Sequence, residues 1–336
     1  MKRALGLLLV LAAGCASGPS AAIDAAIDRQ IRAGFTGSVL VARDDEILVH
    51  RAHGVPRGTK TRFWIASVGK QFAAAAILVC RDRGKLTLDD PLSRFFEDLP
   101  EDKRAITVRQ LLTHTSGLPQ TYASEDAADR QAAVSAIARV PLARPPGEAF
   151  GYSNDNYQLA AAIVEVVSGA PYPTFVEREL LAPLGLDDTG QTDEARAALV
   201  APAKEATPER LRRRSWGGQG WYSTTEDLFR WYRALVPARA EERGRVVADA
   251  AALFTPVAEI REGHAAAGWF VGTTDGGVRR VFVRGNEDFG PNALLYAYPD
   301  ERVVIVVLTH AGDTADGQSH SRALHAAIEQ ILFPVE

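Results

Sequence analysis

Cysteine, lysine and long apolar runs are all scarce in this chain of 336 residues. Its two cysteines are too few for a four-cysteine zinc site or a framework of several disulfides. Lysine supplies six of the 38 basic residues, and 42 acidic residues bring the net charge to −4, which argues against a dedicated nucleic-acid-binding protein. Hydrophobic residues make up 46% of the chain and charged residues 24%, a globular composition with enough apolar side chains for a sizeable core.

Several signatures of metal and cofactor chemistry are missing as well. The sequence has no HExxH zinc motif, no Walker A phosphate loop and no GxGxxG after a strand, and it also lacks a GxSxG elbow. We therefore expect a protein that needs neither a metal nor an organic cofactor.

The N-terminal segment is typical of an export signal. Lys2-Arg3 precede an apolar run from Ala4 to Ala13, and a bilayer needs about 20 apolar residues, so this run is too short to span one. Leu11-Ala12-Ala13-Gly14-Cys15 resembles the lipobox of bacterial lipoproteins, in which the cysteine receives lipid. We expect residues 1–14 to be a signal peptide and Cys15 to anchor the protein to a membrane, facing the periplasm or the cell exterior. The alternative is an ordinary cleaved signal that releases a soluble periplasmic protein.

The rest of the chain has strand signals at both ends and helix signals in the middle. Residues 15–22 are small and polar, which indicates a tether, and residues 23–332 are predicted to form one domain. Two apolar segments, 38–42 and 46–50, flank the turn Arg43-Asp44-Asp45 and predict a β-hairpin. Further strands are predicted near 268–271, 278–283, 293–298 and 303–308, and a last helix is predicted over 319–332.

This order predicts an α/β fold of the α+β type. An antiparallel sheet is built from both chain ends, about 23–80 and 260–332, with flanking helices, and a mostly helical part is inserted at about 81–240. Within the helical part, Thr107 with Gln110 and Ser223 with Glu226 each match a capping box at a helix start. Cys80 lies in an apolar helix over 67–83 and is expected to be a buried, unreactive thiol.

The first candidate for chemistry is Ser67-Val68-Gly69-Lys70. Spacing of three residues puts Ser67 and Lys70 one turn apart on the same face of a helix. A serine hydroxyl is a weak nucleophile that needs an adjacent base, and a neutral lysine amine can be that base. A serine that only caps the helix, with a solvated lysine, would give the same pattern, so the motif alone is weak.

Tyr152-Ser153-Asn154 is the second candidate, just before a helix predicted over 156–167. A phenol beside a lysine can share a proton with it, which makes Tyr152 a general base for Ser67 and later for water. The Asn154 amide can both donate to and accept from an amide of a substrate. His114-Thr115-Ser116 could suggest a Ser-His pair, but adjacent turn positions rarely face each other, so we do not expect His114 to be catalytic.

These residues stand in segments that resemble the serine β-lactamase-related family. The family includes class C β-lactamases, D-alanyl-D-alanine carboxypeptidases, D-aminopeptidases and related esterases, and the resemblance covers roughly residues 22–332. It is carried by the segments 35–41, 63–71, 106–118, 146–154, 183–186 and 223–228. The resemblance implies a β-lactamase/transpeptidase-like fold, with Ser67 as the acylated nucleophile, Lys70 and Tyr152 as the base pair, and Asn154 as a substrate-binding residue. It also implies that His114-Thr115-Ser116 form a structural loop.

The third motif of that family departs from its usual pattern. The family has Lys or His, a small residue and then Gly, where this chain has Arg284-Gly285-Asn286. Arg284 keeps a cation that could hold a substrate carboxylate bidentately. Asn286 puts a side chain where glycine lets the substrate approach the strand.

Two functions follow from these observations. The first is a serine hydrolase that forms an acyl-enzyme from an amide or ester such as a peptidoglycan D-Ala peptide, a β-lactam or a small ester. The alternative is a non-catalytic lipoprotein that binds cell-wall peptides, which the altered third motif favours. The expected partners are a small-molecule or peptide substrate and, through the lipid anchor, a membrane; neither nucleic acid nor an obligate protein partner is expected.

Overall fold

The computed structural model describes residues 18–125, 127–191, 217, 220–236, 246–286, 290–310 and 319–335. The predicted signal peptide and Cys15 lie outside these residues, so both stay predictions.

An eight-stranded antiparallel sheet joins the two ends of the described chain. Its strands are β1 (Gly37–Arg43), β2 (Glu46–His53), β6 (Ala258–Ile260), β7 (Gly263–Ala265), β8 (Phe270–Thr273), β9 (Arg279–Asn286), β10 (Asn292–Tyr298) and β11 (Val303–Thr309). The strand order is β2-β1-β11-β10-β9-β8-β7-β6, so the N-terminal hairpin pairs with the C-terminal strand. The predicted sheet from both chain ends and the predicted hairpin are confirmed.

Helices cover both faces of this sheet and fill the middle of the chain. They are α1 (Pro19–Arg32), α2 (Lys70–Asp82), α3 (Glu101–Arg104), α4 (Val108–Leu112), α5 (Arg130–Ala138), α6 (Asn154–Ser168), α7 (Tyr172–Val176), α8 (Thr225–Leu235) and α9 (His320–Leu332). On one face, α1 and α9 bury Ile27 and Leu324 against Val39 of the sheet. On the other face, α2 and α6 form the larger core, in which nearly every residue of α2 is buried.

The apolar pattern of α2 explains its central place. Residues from Lys70 to Cys80 are all buried, which is expected of a helix that is apolar on every side. Cys80 is a free thiol within this helix, and burial raises its pKa to about 11, in agreement with the predicted unreactive thiol.

Three local features differ from the sequence prediction. Helix α1 begins at Pro19, inside the segment expected to be a tether, because proline suits the first helical turn and alanines follow it. The Thr107–Gln110 capping box is present, but α8 is capped one residue later than predicted, where Thr224 accepts a hydrogen bond from the Asp227 N–H. Ser223 instead ends a short strand, which the apolar pattern of the helical part did not indicate.

That strand belongs to a small three-stranded sheet of order β3-β5-β4. Its strands are β3 (Phe63–Trp64), β4 (Gly190–Gln191) and β5 (Trp221–Ser223). Since β3 comes directly before the turn that carries Ser67, this small sheet helps to fix the start of α2.

No single helix within the described ranges is long and apolar enough to cross a membrane. One pair, Asn154–Ser168 with Tyr172–Leu184, meets the length and composition criteria together, with a bend of 75° between its halves.

Candidate active site

Ser67 lies in a 3₁₀ turn, Ala66–Gly69, that leads directly into α2. Ala66 has a φ of +46°, a left-handed conformation that costs a non-glycine residue energy and that the surrounding structure must hold in place. The Val68 N–H donates to the Ile65 carbonyl at 3.0 Å and closes the turn. The serine thus stands at the N-terminal end of a buried helix, where the helix dipole favours negative charge.

Two side chains contact the Ser67 hydroxyl. The Lys70 Nζ donates to Ser67 Oγ at 2.9 Å, and the Tyr152 phenol oxygen lies 2.7 Å from the same oxygen. Lys70 is 3% exposed, and its Nζ also lies 5.1 Å from the centre of the Tyr152 ring. Because Lys70 already donates to Oγ, the serine's own proton is free to point at the phenol oxygen.

The His114 ring packs against the Tyr152 ring. The two rings stack with their centres 4.4 Å apart, and His114 has a φ of +55°. Its Nδ1 accepts hydrogen bonds from the Ser153 N–H at 3.2 Å and from the Asn156 amide at 3.1 Å, so the ring proton sits on Nε2. Burial, together with the charge of Lys70, holds the pKa of His114 well below its usual range. His114 is therefore neutral and structural, as the loop interpretation expects, yet it contacts the site directly.

Asn154 begins α6, two residues after Tyr152, and it is not among the residues that line the pocket around Ser67. Its side chain is 5% exposed, and its amide oxygen has no hydrogen-bond partner among the described residues. A buried amide oxygen without a partner costs free energy unless a ligand satisfies it. The next residue, Asp155, accepts hydrogen bonds from the hydroxyls of Thr121 and Ser124, which holds the helix start against the loop before it.

The opposite wall of the site comes from the end of the large sheet. The pocket that contains Ser67 is also lined by Trp269, Phe270 and Val283, so this wall is mostly apolar. Gly285 of β9 approaches the nucleophile turn so closely that a Cβ there would lie 2.2 Å from the Ile65 carbonyl oxygen. Asn286, where the family has glycine, is exposed. The expectation that its side chain obstructs the approach of a substrate stays a prediction.

Arg284 lines the pocket as expected, but its guanidinium already has a partner. Its two terminal nitrogens contact the two carboxylate oxygens of Glu262, at 3.2 and 3.0 Å. Glu262 was not anticipated from the sequence, because 22 residues separate it from Arg284 and no motif marks it.

The structure therefore brings Ser67, Lys70 and Tyr152 into contact and sets Arg284 at the pocket wall, paired with Glu262. His114 also contacts Tyr152, whereas the sequence predicted only that it belongs to a structural loop. The one feature of the sequence that could have indicated this contact was its position in the segment 106–118. Across the described ranges, no group of three or more His, Cys, Asp or Glu side chains could hold a metal ion.

A larger cavity of about 680 Å³ lies elsewhere, between the end of α8, the turn Ala250–Phe254 and the start of β9. Asp249 and Arg279 are its charged lining residues, and it includes none of the Ser67 cluster. We place the candidate active site at the smaller pocket because nucleophile and bases meet there.

The sequence of this chain matches a known protein family over most of its length. The family model for β-lactamase matches residues 23–329. The chain belongs to the β-lactamase family. This membership makes it a β-lactamase-like serine hydrolase, and it gives no support to the alternative of a non-catalytic binding lipoprotein.

Individual relatives of this β-lactamase family member agree with the assignment. Penicillin-binding protein 4* of Bacillus subtilis is 27% identical over an alignment of 338 positions, and the alignment covers 89% of this chain and 72% of the relative. Protein flp of Staphylococcus aureus is 27% identical over 314 residues, which cover 86% of this chain but only 62% of flp. A class C β-lactamase in complex with cefoxitin has the same fold, with a TM-score of 0.80 at 19% identity, and the match covers 94% of this chain and 99% of that one.

Proposed function

We propose that this protein hydrolyses an amide or ester through an acyl-enzyme formed on Ser67. The observation that carries the proposal is the contact of one serine oxygen with both the Lys70 amine and the Tyr152 phenol, at 2.9 and 2.7 Å. A nucleophile with two potential proton carriers within hydrogen-bond distance is the arrangement that acyl transfer requires.

In the acylation step, Ser67 Oγ forms a bond to the substrate carbonyl carbon while its proton moves to the Tyr152 oxygen. Lys70, next to both groups, takes the phenol's own proton in the same step, so that the Tyr152 oxygen can accept the proton of Ser67. Negative charge develops on the carbonyl oxygen at the N-terminal end of α2, where the helix dipole favours it. The bond to the leaving amine or alcohol then breaks, and the same proton passes to that leaving group.

In the deacylation step, water takes the place of the leaving group. Tyr152 passes its own proton to Lys70 and accepts a proton from the water, while the water oxygen bonds to the acyl carbon. When the ester bond breaks, Tyr152 gives the water's proton to Ser67 Oγ and recovers its own from Lys70. His114 stays neutral below Tyr152, so it adds no second positive charge beside Lys70.

Asn154 supports a substrate that carries an N–H group next to its acyl carbon. The buried amide oxygen, which has no hydrogen-bond partner among the described residues, would accept a hydrogen bond from that group. Acylated D-amino peptides and β-lactams both have such an N–H, whereas a small ester such as an acetate does not.

The proposal is tested by labelling the protein with a fluorophosphonate and mapping the labelled peptide by mass spectrometry, beside turnover of p-nitrophenyl acetate and nitrocefin. Ser67→Ala, Lys70→Ala and Tyr152→Phe should each lower turnover at least about 1,000-fold, and their combinations should lower it little further, because the three act as one unit.

Matched controls are Ser135→Ala on α5 and Lys85→Ala just beyond α2, which should keep wild-type rates. A wild-type protein that turns over these substrates while Ser67→Ala keeps the same rate would remove the assignment of the nucleophile.

We also propose that the protein is exported and held to a membrane by lipid on Cys15. The supporting evidence is the apolar run followed by Leu11-Ala12-Ala13-Gly14-Cys15. Each buried CH₂ of an acyl chain contributes about 0.8 kcal/mol, so two or more chains give firm attachment. Globomycin should make the precursor accumulate, and Cys15→Ser should move the protein out of the membrane fraction, whereas the control Cys80→Ser should not. A soluble, normally processed wild type would indicate an ordinary cleaved signal instead.

A further inference from the structure

The Arg284 guanidinium is held by two neighbours at the end of β9. It makes the bidentate ion pair with Glu262, and it lies 5.0 Å from the centre of the Phe282 ring. Arg284 and Glu262 side chains are 24% and 39% exposed, so the pair is partly shielded from water. The aromatic ring and the bidentate carboxylate together fix the orientation of the planar guanidinium.

Glu262 is fixed by its backbone as well as by its side chain. It stands in the turn between β6 and β7, at the edge of the large sheet. This turn lies so close to β8 that a Cβ on Gly272 would come within 2.4 Å of the Glu262 carbonyl oxygen. The carboxylate is therefore presented to Arg284 from a closely packed edge of the sheet.

Side chains alternate between the two faces of β9, and this alternation shows on which face Arg284 lies. Arg280, Phe282 and Arg284 share one face, and Val283 and Gly285 share the other. Phe282 is buried in the core group beneath α1 and α9, while Gly285 contacts the turn that carries Ser67. Arg284 nevertheless lines the pocket that contains Ser67, so its guanidinium is held by Phe282 and Glu262 at the border of that pocket.

This placement changes what the altered third motif can recognise. The fork of an arginine matches one planar carboxylate, and the Glu262 carboxylate already occupies it. A carboxylate on a substrate would have to displace Glu262 or approach it as a like charge, and like charges at one site are unfavourable. The apolar wall of Trp269, Phe270 and Val283 suits an uncharged group.

We infer that Glu262 is a specificity-determining residue that withholds Arg284 from substrate carboxylates and directs this hydrolase to esters or amides that are uncharged beside the scissile bond. The inference rests on the proposed hydrolase function and selects among its substrates. Acids such as D-alanyl peptides with a free C-terminus are disfavoured, and their neutral esters or amides are favoured.

The test compares two substrates that differ only in that charge: the thioester of benzoyl-D-alanine with thioglycolic acid, and the methyl ester of the same compound. The measured quantity is the ratio of kcat/KM for the acid to kcat/KM for the methyl ester. Glu262→Gln should raise this ratio about tenfold, the lower end expected for a charged hydrogen bond, because the pair keeps some solvent contact. Glu259→Gln, which removes an exposed carboxylate from the same hairpin, should leave the ratio within about twofold.

A second arm measures binding without turnover. In the Ser67→Ala background, calorimetry gives the dissociation constants of acetyl-D-alanyl-D-alanine and of its C-terminal amide, and Glu262→Gln should shift the preference toward the acid by a similar factor. Failure of the fluorophosphonate to label Ser67 would count against the hydrolase proposal, while this arm still decides the role of Glu262.

Adding Arg284→Ala to Glu262→Gln should abolish the gain in both arms, because the gain depends on the released guanidinium. The inference is overturned if Glu262→Gln raises the preference for the acid in neither arm, or if the gain survives Arg284→Ala.

Discussion

The contact of Gly285 with the nucleophile turn predicts a large effect from a single methyl group. In Gly285→Ala the new Cβ would lie 2.2 Å from the Ile65 carbonyl oxygen and 3.0 Å from the Ala66 Cβ. The carbonyl is backbone and cannot rotate away as a side chain could. Ala66 already has a φ of +46°, so the turn has little conformational freedom with which to adapt.

Relief of this overlap requires β9 and the turn to separate by about 1 Å, a displacement that costs about 100-fold in rate when it misplaces a reacting group. We therefore expect kcat/KM for p-nitrophenyl acetate, and the rate of fluorophosphonate labelling, to fall about 100-fold in Gly285→Ala. Overpacking should also lower the free energy of unfolding by about 1–3 kcal/mol, measured by urea denaturation.

Gly276→Ala is the matched control, because a Cβ at that turn position would meet its nearest atom, the Thr274 hydroxyl, at an ordinary 3.8 Å. It should keep the wild-type rate and stability. If Gly285→Ala folds with wild-type stability and labels at a rate within twofold of wild type, then the close approach of β9 does not position Ser67, and the reasoning is refuted.

Three further predictions concern the scaffold around the site. Thr107→Ala removes the capping box of α4 and should lower the free energy of unfolding by about 1 kcal/mol in urea denaturation, whereas Thr107→Ser should restore most of it. His325 is buried and its pKa is lowered to about 3, so its neutral form stabilises the fold fully above pH 6.5, and this stabilisation is lost as pH falls from 6.5 toward 3. Between pH 7 and pH 5, His325 should make the free energy of unfolding, measured by urea denaturation, fall by up to about 1.4 kcal/mol per pH unit. His325→Gln should remove this pH dependence, and an unchanged dependence would contradict the assignment. The Cys80 thiol, buried and with its pKa raised to about 11, should resist iodoacetamide at pH 8 until the protein unfolds, and rapid alkylation of the native protein would show that it is accessible.

Local spacing was enough to predict much of the fold and part of the site. Ser67 and Lys70 are neighbours because three residues make about one helical turn, whatever the rest of the chain does. The β1–β2 hairpin and the Thr107–Gln110 capping box follow from residues a few positions apart. The same apolar patterns placed strands at both chain ends, and a single sheet is the simplest way to bury them.

Contacts between distant segments needed the tertiary structure. Eighty-five residues separate Ser67 from Tyr152, and only the packing of α6 on α2 brings their oxygens to 2.7 Å. The pairing of Arg284 with Glu262 depends on the register of four neighbouring strands, from β6 to β9, which no short-range pattern encodes. The sequence by itself thus determined which residues could carry chemistry, since residue type and helical spacing are local properties. Only the tertiary structure decided which of those residues meet and which are held by other partners, because such contacts form when chain segments far apart in sequence pack together.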